Sequence, residues 1–131
     1  MSQAEIIKAY RAMYRAGLQA VMYSKPARFV VRDQLREAFR DRSGQFDMET
    51  IQRTVLFLRS ASRERGLAHR IVKNLLYVAW GQTDQLAIPY HVRLRRAEQY
   101  QGAAAIFKQT ALVHYKKTID MLNQTMKLCL R

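Results

Sequence analysis

Apolar positions along this chain recur mostly at three- and four-residue intervals, with polar residues between them. That period belongs to an amphipathic helix, in which residues i, i+3 and i+4 share a face. The first run covers about residues 3–23. Ile6, Tyr10, Met13, Tyr14, Gly17, Leu18 and Val21 form its apolar stripe, and Lys8, Arg11 and Arg15 a neighbouring basic one. Ser2 and Glu5 stand at capping-box spacing. Ser24-Lys25-Pro26 closes the run, and Pro26 suits the first turn of the next helix. That second helix extends to about Asp41, with Val31, Leu35, Ala38 and Phe39 facing inward. Arg28, Arg32, Arg36 and Arg40 make a basic ridge on it, and Asp33–Arg36 and Glu37–Arg40 are acid-before-base pairs at helical spacing.

Arg42-Ser43-Gly44-Gln45 reads as a loop, and Asp47 as the cap of a third helix starting near Met48. Ile51, Val55, Leu58 and Ser62 trace its inner side, widened by Leu56 and Phe57. Gly66 either divides it from a further run through Leu67, Ile71, Leu75, Val78 and Ala79 or is tolerated within one longer helix at about 1 kcal/mol, and Trp80-Gly81 is expected to end the run. Residues 82–94 are less regular, with an extended passage at Ala87-Ile88-Pro89-Tyr90. From about Arg95 to Leu130 the helical period returns, on Ala105, Leu112, Tyr115, Ile119, Leu122, Met126 and Cys129. The pattern predicts one all-α domain over residues 1–131, an antiparallel helical bundle of about four or five helices. Five glycines and two prolines mark few turns, as long helices require.

Charge changes the picture. Lys and Arg number 23 against 10 acids, a net +13 spread along the chain. Such an excess points to an anionic partner: nucleic acid, an acidic protein or an anionic surface. Chemistry is sparse by comparison. His69, His91 and His114 lack metal-ligand spacing, no glycine-rich phosphate loop occurs, and no carboxylate pair suggests acid–base work. The only cysteine, Cys129, reads as a small core residue, and no metal site is expected. No uncharged apolar run is long enough for a membrane span. These readings disfavour an enzyme.

The Tyr10-Arg11 pair, its repeat one turn later as Tyr14-Arg15, and the downstream Arg36-x-x-Phe39-Arg40 cluster together resemble the LYR family of small mitochondrial helical proteins. Ala9 stands where the family has Leu. The resemblance covers the first half of the chain, residues 1–65, and implies a three-helix core there with residues 66–131 as additional helices. It also implies a mitochondrial matrix location, with the basic amphipathic start of the chain serving as an uncleaved targeting signal. The implied partner is the mitochondrial acyl carrier protein, which is acidic and carries its acyl chain on a phosphopantetheine arm. No cofactor would then be bound directly; the acyl-phosphopantetheine belongs to the partner.

On this reading Lys8, Arg11, Arg15, Arg36 and Arg40 meet the carrier, and Tyr10, Met13, Tyr14 and Phe39 line an acyl channel. Ordinary core packing accounts for the same four side chains equally well. The family's clients are large complexes, with the mitochondrial ribosome favoured here by the charge and a respiratory-chain complex as the alternative. Arg93, Arg95, Arg96, Lys116 and Lys117 are candidates for contact with ribosomal RNA or a protein client, and a solvated surface explains them too. A free-standing basic RNA-binding helical protein competes, with Tyr90, Tyr100 and Tyr115 as stacking platforms.

Overall fold

The computed structural model describes residues 2–41, 43–87, 89–99 and 102–130, with the side chains of 83–87, 97, 104, 105 and 108 outside the description. The expectations for Arg42, for the Ala87-Ile88 passage, for the side chain of Ala105 and for Tyr100 therefore lie wholly or partly outside the described residues. Among the described residues there are six helices and no strand: α1 (Gln3–Ala20), α2 (Ala27–Arg40), α3 (Met48–Arg63), α4 (Leu67–Ala87), α5 (Tyr90–Gln99) and α6 (Ala103–Met126). The protein is an all-α helical bundle.

Local signals set several boundaries. Ser2 and Glu5 form the capping box at α1: Ser2 N donates to Glu5 Oε2 at 2.9 Å, and Glu5 N to Ser2 Oγ at 3.4 Å. Asp47 caps α3 by accepting from Glu49 N at 3.1 Å and from the Thr50 hydroxyl. Between α1 and α2, Met22 and Tyr23 take left-handed φ values of 55° and 56°, Ser24 Oγ donates to Val21 O, and the Lys25–Pro26 peptide is cis.

The second half departs from the sequence pattern. α4 runs on through Trp80-Gly81 to Ala87. A lone glycine costs a helix only about 1 kcal/mol, and no proline follows until Pro89, so nothing forces a stop. The irregular stretch expected over 82–94 is therefore mostly helix, shared between α4 and α5. The single helix expected from Arg95 to Leu130 is two, with Gly102 at φ 78° before α6. Its end also differs, because Lys127 adopts a left-handed conformation and residues 128–130 leave the helix.

The principal packed pairs are α1–α3, α3–α4, α1–α2 and α2–α4, so the core takes in α4 as well as α1–α3. Its α1 seam is Ala9, Met13, Ala16 and Ala20, all buried, alongside buried Gly17. Tyr10 and Tyr14 stand one position off that seam and are half-buried. Small residues win the seam because they let helix backbones approach. A Cβ built on Gly17 would lie 2.7 Å from Val31 Cγ1 on α2. On α3 the buried set includes Thr54, Phe57 and Ala61, whereas Leu56 is 62% exposed and Ser62 is half-buried with its hydroxyl donating to Arg59 O. On α4, Val72, Leu76 and Ala79 are buried, while Leu67 is exposed.

Candidate functional site

Four aromatic rings connect α1 to the start of α3. Tyr14 stacks on Tyr10 with centroids 6.0 Å apart, Tyr10 meets Phe39 edge to face at 5.3 Å, and Phe39 meets Phe46 at 5.4 Å. Helix geometry explains the first contact, since residues i and i+4 lie one turn apart on one face. The second ties α1 to the C-terminal part of α2. Tyr10, Tyr14 and Phe39 are the aromatics that carry the sequence resemblance, and the fold brings them into one chain of ring contacts.

Beneath this ladder lies a partly open cavity of about 210 Å³. Its apolar lining includes Met13, Val31, Ile51, Leu58, Val72 and Leu76, with Phe39 and Phe46 from the ladder. Polar lining comes mainly from the α2–α3 connection and its edges, among them Asp41, Gln45, Asp47 and Thr50. Of the four proposed acyl-lining residues, Met13 and Phe39 line the cavity, whereas Tyr10 and Tyr14 stack on each other beside it.

A second set of lining residues had no counterpart in the sequence reading. The segment after α6 folds back over the core, burying Leu128 and Leu130, while Cys129 and Leu130 line the cavity. Asn123 holds this segment at both backbone groups of Leu130: its Nδ2 donates to Leu130 O at 2.7 Å, and Leu130 N donates to its Oδ1 at 2.9 Å. Thr54, 1% exposed, holds the other end. Its Oγ1 donates to Thr50 O at 2.8 Å, accepts from Cys129 N at 3.1 Å, and lies 3.2 Å from Cys129 Sγ. Cys129 was placed on a helical apolar line by periodicity; the left-handed turn at Lys127 puts it instead in this returning strap. A buried threonine in an otherwise apolar α3 seam was the one sequence signal for it.

The proposed carrier-binding cations Lys8, Arg11, Arg15, Arg36 and Arg40 are all exposed. Arg36 and Arg40 share a shallow surface concavity with Asp33, Glu37 and Asp41, so their local field is mixed. Asp33 pairs with Arg32 at 2.9 Å rather than with Arg36. That contact raises the Arg32 guanidinium above its ordinary value.

Arg93, Arg95 and Arg96 project from α5, and Lys116 and Lys117 from α6, all exposed. Arg93 lies over the Tyr90 ring at 6.0 Å. Tyr115, in contrast, is half-buried in a groove between α4 and α6, where burial raises its phenol above the usual range. No helix among the described residues is long and apolar enough to cross a membrane.

Comparison with known proteins finds similarity to a UPF0593 mitochondrial protein of Schizosaccharomyces pombe. The two are 38% identical over 77 residues, which is 56% of this chain and 62% of the relative. No family model and no solved structure matches the chain.

Proposed function

We propose that this chain is a non-enzymatic mitochondrial adaptor of the LYR type. It binds acylated acyl carrier protein in the matrix and supports the assembly or stability of a larger complex, foremost the mitochondrial ribosome. The observation that carries this reading is the coincidence of a partly open, mainly apolar cavity with the Tyr10–Phe39 contact above it and the Lys8, Arg11 and Arg15 ridge on α1. Similarity to a protein named as mitochondrial supports the compartment.

The parts would divide the work as follows. Exposed arginines steer the acidic carrier and fix its orientation. The acyl chain is then transferred from water into the core, at about 0.8 kcal/mol per buried methylene. The cavity measures about 210 Å³, and Cys129 and Leu130 form part of its wall. A respiratory-chain client is the second reading, and exposed apolar residues on α6 favour it: Ile106, Phe107, Val113 and Met121 are each at least half exposed. Such a row suits a protein partner better than RNA.

The test is co-purification of the carrier from mitochondria. Replacing Arg11 and Arg15 with Glu adds repulsion at an exposed ridge without touching the core, so carrier recovery is expected to collapse while helicity is unchanged. Undiminished recovery would contradict the assignment.

A further inference from the structure

A second concavity, which shares only Val72 and Leu76 with the first cavity, is walled by the α1–α2 turn, the α3–α4 junction and one face of α4. It encloses about 810 Å³. Lys25, Arg65, Arg70 and Lys73 line it, and no carboxylate does among the described residues. None of the four cations is paired with an acid there; the ion pairs among the described residues are Arg32–Asp33 and Arg53–Glu49. Tyr77 and Trp80 complete the wall. They are 67% and 41% exposed, with ring centroids 6.1 Å apart at near right angles.

On α4 the order Arg70, Lys73, Tyr77, Trp80 follows three- and four-residue steps, so cations and aromatic rings share one stripe. The stripe spans roughly 15 Å at the rise of a helix. Val72 and Leu76, next to it, are buried and fix the helix's rotation. The stripe thus faces the groove because its neighbours face the core.

We infer that this groove binds a short segment of single-stranded RNA. Cations along a track meet phosphates, and exposed aromatic faces stack bases without regard to sequence. An acidic protein would satisfy the cations equally, but it leaves two adjacent aromatic faces beside the cationic track without a stacking partner. The residues differ from the arginines and lysines of α5 and α6 singled out by sequence, and the groove does not require carrier binding. It bears on the ribosomal client while standing or falling independently of the carrier.

Trp80 is the only tryptophan in the chain, so its fluorescence reports on this groove. The experiment titrates the full chain, without carrier, with a short single-stranded oligouridine, and in parallel with a polyglutamate peptide. Oligouridine is expected to quench Trp80 saturably. Arg70→Gln with Lys73→Gln is expected to weaken binding at least tenfold and to lower the log–log salt slope by about 0.7 per lost contact. Tyr77→Ala is expected to weaken binding roughly tenfold by loss of stacking while keeping the slope. Lys116→Gln with Lys117→Gln, on α6, is expected to change neither. All these side chains are exposed, and thermal melts are run alongside to check that each variant folds. Absence of quenching, or an unaltered affinity in the Arg70/Lys73 variant, overturns the proposal. Polyglutamate binding as tight as oligouridine binding also overturns it, and assigns the groove to an acidic protein.

Discussion

Tyr10 on α1 and Phe39 on α2 meet edge to face with their ring centroids 5.3 Å apart. Such pairs contribute about 0.5–1.5 kcal/mol beyond the area they bury. A double-mutant cycle with Tyr10→Leu and Phe39→Leu is expected to return a coupling energy in that range by chemical denaturation. Strict additivity would mean that the two rings are neighbours without an interaction of their own.

Gly17 sets the distance between α1 and α2. Alanine there gains about 1 kcal/mol of helix propensity, but its Cβ would sit 2.7 Å from Val31 Cγ1. Valine is stiff in a helix and Val31 is buried, so the neighbour cannot swing aside. Overpacking of this kind costs about 1–3 kcal/mol. Gly17→Ala is therefore expected to lower the melting temperature in the native background and to raise it, or leave it unchanged, when Val31 is Ala.

The first two turns of the fold were legible in the sequence; the α1 seam was not. Capping at Ser2 and Asp47, the break at Pro26 and the loop before Met48 are all local chemistry, and local chemistry is readable from one chain. The stripe read from the pattern, Ile6, Tyr10, Met13, Tyr14, Gly17, Leu18 and Val21, shares only Met13 and Gly17 with the buried seam, whose other members Ala9, Ala16 and Ala20 lie one position away from it. Side-chain size favours the first stripe, but close helix approach favours the second, and approach is a property of the partner helix. For the same reason Met13 and Phe39 line the cavity while Tyr10 and Tyr14 stand beside it. The returning strap at Cys129 depends on contacts with Thr54, 75 positions away in sequence, which no periodicity reveals.

The strap gives a clean chemical readout, because Cys129 is the only cysteine. Thr54→Val keeps the shape of the side chain but removes the acceptor for Cys129 N. A buried donor left without its partner costs about 1–3 kcal/mol. Alkylation of Cys129 is expected to accelerate by roughly the corresponding factor in this variant, while Thr54→Ser keeps the native rate. Equal rates in all three proteins would show that the Thr54 contact does not hold the strap.

Acid should loosen the start of α3. Hydrogen bonds from the Thr50 hydroxyl and from Glu49 N hold the Asp47 carboxyl below its ordinary range. A carboxylate lowered on folding stabilises the native state at pH values above its unfolded pKa, and that contribution is lost as pH falls through the folded value. Glu5 in the α1 capping box, lowered by its bonds with Ser2, acts in the same direction. Melting temperature is expected to drop on acidification below the carboxylate range, and to drop less steeply in Asp47→Asn.

Acceptance of an acyl chain by the cavity lined by Met13, Phe39 and the Cys129 strap is the proposal on which carrier binding rests. Its most direct test is the affinity of the full chain for acyl carrier protein bearing a long acyl chain and for the same carrier bearing none, measured side by side by calorimetry. The acylated form is expected to bind tighter and to raise the melting temperature more, and that difference is expected to be lost when Met13 is replaced by a bulkier Phe. Equal affinity for the two carriers would contradict the proposal and leave the aromatic ladder and the cavity as features of packing.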